Sequence, residues 1–137
     1  MNYGRLNVVS GGIVILVASI GGFALGFTLD PFFEKGFYAI PLGRVFLKAG
    51  HTHGMPFAFY NIVIGLLVDQ LALTDKWKRR CSLLAVLSFI MPIGLILRGL
   101  TDGAMTFAPV ALLGALCFLA SVVIVIRGAI ASSSTSE

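Results

Sequence analysis

Both histidines of the chain stand in one short stretch, His51-Thr52-His53-Gly54-Met55-Pro56, and together with the thioether of Met55 they make the only clustered ligand set in the sequence. Two imidazoles and a soft sulfur suit copper in either oxidation state. A single imidazole is enough to ligate a haem iron when a second ligand comes from elsewhere. Backbone shape decides between the two. In an α-helix, residues two apart point about 200° from one another, whereas in an extended segment they share a face. Pro56 suits the first turn of a helix and disfavours helical backbone at Met55, and Gly50 and Gly54 loosen the chain. The local sequence therefore predicts a helix that starts at Pro56, preceded by an extended strip in which His51, His53 and Met55 face one metal. If the helix instead runs through Pro56, His51 and Met55 share a face at i, i+4 and His53 points elsewhere, towards a haem with its other ligand from another helix or another chain. The structural alternative is that both rings bond backbone carbonyls or lipid phosphates.

Carboxylates that could take an imidazole N–H and fix its tautomer are Asp30, Glu34 and Asp102. Arg98 and Asp102 bracket a turn and read as an ion pair. Asn61 and Asp69 lie further along the stretch that carries the histidines, and Asp69 reads as a partner for Lys76 or Lys78. Cys81 and Cys117 are far apart in sequence, and no disulfide is expected. Nothing in the chain matches a phosphate-binding loop, H-E-x-x-H, G-x-S-x-G or C-x-x-C, which leaves nucleotide hydrolysis, metalloprotease, serine hydrolase and thiol-exchange chemistry without support.

The elements that must position these residues follow from composition. Of 137 residues, 58% are hydrophobic and 12% charged, and mean hydropathy is +0.98, about half the charge of a soluble domain. A helix needs roughly 20 apolar residues to cross a hydrocarbon core of ~30 Å. Runs of that kind cover residues 6–29, 50–73, 81–97 and 105–126, so the expected fold is all-α, an integral membrane four-helix bundle forming a single domain. Residues 30–49 form the one long connection, read as an interfacial segment, and 130–137 as a disordered Ser-rich tail. Arg5, Lys76, Lys78, Arg79, Arg80 and Arg127 fall on one face of the membrane, against Lys35, Arg44, Lys48 and Arg98 on the other. By the positive-inside rule both termini are cytoplasmic and the histidines face outward. The formal charge of +4 is accounted for by these loops, and no basic domain for nucleic acid exists. Ala18, Gly22 and Gly26 form a small-residue ridge on the first span that serves either packing within the bundle or an interface between subunits. Pro92 with Gly94, and Pro109 with Gly114, should kink the last two spans and open a cavity.

His53-Gly54 followed by Met55, Phe57 and Phe59 resembles, over about a dozen residues, the low-spin haem-ligating helix of haem-copper oxidase subunit I. That resemblance implies His53 as an axial haem ligand; the family's copper-liganding histidines have no counterpart. The Ala-Gly-His-x-His-Gly stretch is also similar to small bacterial four-helix membrane proteins of unassigned activity. The expected function is copper or haem binding at an outward-facing site of the cell (inner) membrane, for redox chemistry or metal handling. The expected partners are the lipid bilayer and either a second copy of the chain or a larger membrane complex. The competing reading is a non-catalytic accessory subunit of a respiratory or oxygenase complex. A small permease ranks last, because Asn61 and Asp69 alone offer a polar path.

Overall fold

A computed structural model describes residues 2–28 and 40–133 of the chain. Among these the protein is entirely helical: α1 (Arg5–Phe27), α2 (Leu42–Leu67), α3 (Asp75–Leu87), α4 (Ile90–Leu100) and α5 (Ala108–Ser133), with short 3-10 turns at Val68–Gln70 and Met105–Phe107. The segments Arg5–Phe27, Asp75–Leu100 and Met105–Ser132 are long and apolar enough to cross a membrane. α2 is interrupted by the polar residues His51, Thr52, His53 and Asn61.

The third rod is broken where the sequence places a proline. Pro92 has no N–H to give the carbonyl of Ser88, and its ring crowds that carbonyl. The chain responds with a turn at Ser88–Phe89, where Met91 N donates to Ser88 O at 3.0 Å in a tighter turn. The Ser88 hydroxyl donates to Ala85 O at 2.6 Å.

Pro56 behaves differently, and here the expected helix start is wrong. Helix α2 begins at Leu42 and passes through Pro56 without ending. The helix start is set by Pro41, whose extended backbone (φ −56°, ψ 141°) leads into the first turn while its carbonyl accepts from Arg44 N and Val45 N. Segment 42–55 is then held in register by packing, because Gly50 lies against Pro92 and Ile96 and Gly43 against Gly99. A proline inside a spanning helix is tolerated where neighbours of this kind hold the turn. Two further boundaries shift. The last helix continues through Ser133 rather than fraying at 130, since Gly128 packs on Leu73 and the Ser132 hydroxyl accepts from Ala72 N at 3.0 Å. Residues 29–39, with Asp30 and Glu34, lie outside the described residues, as do the last four of the tail, 134–137.

α1 and α4 flank α2 on separate sides, with little contact between them, and α5 packs on α3 and α4. Helices approach closely where side chains vanish: a Cβ on Gly4 would lie 1.8 Å from Gly65 O, and one on Gly114 would lie 2.0 Å from Met91 N. Large apolar side chains such as Ile20 and Phe23 are 71% and 69% exposed, while Asn7 and Asn61 are 0% exposed. That inverted distribution suits a chain whose outer surface meets lipid instead of water.

Candidate functional site

α2 presents two unlike polar stations. The first centres on Asn61. Its Nδ2 donates to Phe57 O at 3.0 Å and to Ala85 O at 2.8 Å, and its Oδ1 accepts from Asn7 Nδ2 at 2.9 Å. Asn7 Nδ2 also donates to Ser82 O at 2.9 Å, and the Ser82 hydroxyl shares its proton between Tyr3 O at 2.8 Å and Asn7 Oδ1. Every hydrogen-bonding capacity of the two amides' N–H groups is used, and α1, α2 and α3 are tied at one end. Asn61 is therefore bound in structure and is not available as a step in a polar path. Asp69 is placed similarly: its Oδ1 accepts from Tyr3 N at 3.4 Å, and Lys78 donates to its backbone oxygen at 2.7 Å rather than to its carboxylate. Nothing in the sequence reading singled out Asn7; the available signal was one amide within the first two turns of an otherwise apolar span, matched by a second on α2.

The second station holds the histidines. Because α2 is helical across 51–55, the extended H-x-H-x-M strip does not form. His51 and Met55 line one cavity of about 570 Å³ with Ser19, Gly22 and Phe23, and His53 lies on an exposed face. A three-ligand copper site from His51, His53 and Met55 therefore has no geometry here. Among the described residues, no three His, Cys, Asp or Glu side chains converge as a metal-holding group.

The two imidazoles differ in a way that assigns their protons. His53 Nδ1 lies 2.8 Å from Ala49 O. A carbonyl only accepts, so Nδ1 is the donor in this bond, and when the ring is neutral Nε2 holds the lone pair. His51 has the opposite situation, since its Nδ1 is buried with no hydrogen-bond partner. An orphaned buried N–H is rarer than an under-satisfied acceptor, so the assigned tautomer puts the proton on Nε2. His53 thus has one nitrogen fixed by a backbone carbonyl, and His51 has one buried without a partner. No family model matches the chain, and neither a curated protein nor a solved structure matches it. The chemistry of the site rests on these two rings alone.

The surroundings correct two further expectations. The guanidinium of Arg98 does not pair with Asp102: its Nη2 donates to Gly103 O at 3.2 Å and reaches Met105 Sδ at 3.2 Å, and its Cζ sits 3.9 Å from the centroid of Phe46. The turn explains this, because Asp102 takes φ 48° and Gly103 φ 89°, which carries the carboxylate towards Gly43. Asp102 also makes no hydrogen bond to either imidazole; the partner of His53 is a backbone oxygen. The ridge of the first span serves packing at one point, where a Cβ on Gly22 would lie 2.7 Å from His51 Cε1, while nothing lies within 4 Å of a Cβ on Gly26. Both cysteines are free.

Proposed function

We propose that the chain is an integral membrane protein of the cell membrane, with both termini cytoplasmic, that binds haem through His53 for redox chemistry. The single observation that carries this is the bond from His53 Nδ1 to Ala49 O, which leaves Nε2 of this exposed residue as the nitrogen for a ligand bond. Iron-ligating histidines need that tautomer, and a backbone carbonyl is a common means of fixing it. Haem suits a site with one imidazole because the porphyrin itself supplies four ligands, whereas a protein copper site needs several convergent side chains. When bound, haem supplies reversible one-electron chemistry. His53 would hold the iron, and Ala49 O would fix the orientation of its ring. A site on an exposed face needs a second wall, which a second copy of the chain or a subunit of a larger membrane complex provides.

Copper at His51 and Met55 is the second reading, favoured by their shared cavity and weakened because these are the only two ligand-type side chains lining it. Elemental analysis and an absorption spectrum of the detergent-purified protein separate the two. Haem at His53 predicts a Soret band that is lost in His53→Ala and kept in His51→Ala and Met55→Leu. Copper predicts stoichiometric copper lost in His51→Ala and sharply weakened in Met55→Leu. A wild-type protein that carries neither group and copurifies with other subunits would identify an accessory subunit.

A further inference from the structure

The first turns of α3 carry the densest run of charge in the chain, Lys76-Trp77-Lys78-Arg79-Arg80. The two carboxylates at this end are already engaged by Tyr3, just ahead of α1: Asp69 Oδ1 accepts from Tyr3 N and Asp75 from the Tyr3 hydroxyl. Lys78 is engaged too, donating to Asp69 O. Lys76 and Arg80 are exposed, and among the described residues neither side chain has an ion pair or a hydrogen-bond acceptor. Arg80 instead holds its Cζ over the Trp77 ring, 5.0 Å from the centroid. A cation–π contact of this kind engages no N–H donor in a hydrogen bond, so the guanidinium keeps the fork that meets a phosphate with two parallel bonds.

Helical spacing sets what lies beside these two charges. Lys76, Arg80, Leu83 and Leu87 follow at i, i+4, i+7 and i+11, on one face of α3, and the opposite face carries the buried Cys81, Ser82 and Ala85. Leu83 is 51% exposed and Trp77 40%. From the helix end inward the outer face therefore presents two cations, an indole on their flank, and then hydrocarbon. An acidic protein segment would pair the cations and leave the leucine uncovered. A zwitterionic phospholipid would cover the leucine but bring its own cation against Lys76 and Arg80. We propose that this face of α3 binds an anionic phospholipid, its phosphate on Lys76 and Arg80 and an acyl chain along Leu83 and Leu87, with Trp77 at headgroup level where tryptophan is favoured. The proposal rests on the reading of the chain as an integral membrane protein with this end cytoplasmic, where the leaflet is anionic, and is independent of haem at His53.

Trp77 is the single tryptophan of the chain, so its fluorescence reports from the surface itself. The full-length protein is reconstituted in phosphatidylcholine vesicles, and either phosphatidylglycerol or phosphatidylcholine carrying bromine high on its acyl chains, where it quenches indole on contact, is mixed in at rising mole fraction. Brominated phosphatidylglycerol should reach half-quenching at a mole fraction about fivefold lower than brominated phosphatidylcholine, the equivalent of roughly 1 kcal/mol for one cation near a membrane surface. Lys76→Gln combined with Arg80→Gln should bring the two curves together. Arg5→Gln combined with Lys48→Gln removes the same charge elsewhere and should leave them apart. In roughly 1 M salt, where the Debye length is ~3 Å, the wild-type preference should shrink, a readout that needs no variant. Equal quenching by the two lipids in the wild type, a preference that survives in the Lys76→Gln, Arg80→Gln protein, or one lost equally in the Arg5→Gln, Lys48→Gln protein overturns the proposal and leaves the membrane reading standing. Quenching by neither lipid overturns both.

Discussion

Asn61 and His51 sit ten residues apart on the same helix, and the chain treats them in opposite ways. Around Asn61, two amides and a serine hydroxyl from three helices satisfy one another and the carbonyls of Phe57, Ser82 and Ala85, and a glycine pair lets α1 and α2 close on that network. Around His51, one ring nitrogen is buried without a partner, and the flanking helices part to leave a cavity. Polar groups inside a membrane are costly unless paired. A bundle that pairs them at one end and leaves them unpaired at the other holds its fold with the first end, and the second is where haem is proposed. The closed end is stabilising, and the open end is kept at some expense of stability.

Replacing Asn61 by leucine should break this comparison most severely, because Asn7 Nδ2 loses an acceptor and Ala85 O a donor in a dry interior. The expected destabilisation is roughly 3 kcal/mol, read as a lowered midpoint of thermal unfolding in detergent. Gly4→Ala comes next. A Cβ there would lie 1.8 Å from the oxygen of Gly65, so α1 must move off α2, at roughly 2 kcal/mol for an overpacked contact. His51→Leu should act in the other direction, removing an unpaired buried nitrogen while keeping an apolar side chain, and stabilise the protein by up to roughly 1 kcal/mol. Gly26→Ala, on the ridge at the open end with nothing within 4 Å of its Cβ, should change stability by less than about 0.5 kcal/mol. The same unfolding assay ranks all four, and a His51→Leu protein as destabilised as Asn61→Leu would erase the distinction between the two ends.

The helical architecture is legible in the sequence because long uncharged runs depend only on composition, and the first and last rods lie close to those runs. The start of α2 is not legible in that way. Pro56, Gly50 and Gly54 are strong local breakers, but Gly43 packs on Gly99 and Gly50 on Pro92 and Ile96, and contacts between residues 42 to 56 positions apart leave no local trace. The same limit hid the Asn7–Asn61–Ser82 network, whose partners come from three helices. It also hid the fate of Arg98: charge and spacing suggested Asp102, yet the positive φ at Asp102 and Gly103 turns the carboxylate away and an aromatic ring takes the guanidinium. The pair of histidines was legible as a cluster, and so was the alternative in which a continuous helix divides them. That His53 Nδ1 meets Ala49 O while His51 Nδ1 is buried without a partner depends on how the helix runs and packs.

The claim that His53 presents a free Nε2 to a haem iron is tested most directly by its cavity variant. His53→Gly, purified in detergent, should lose the Soret band of the wild type and recover it when imidazole is added, because free imidazole can replace the missing ring without the backbone tether. A wild type with no Soret band, or a band that persists unchanged in His53→Gly before imidazole is added, would contradict the account.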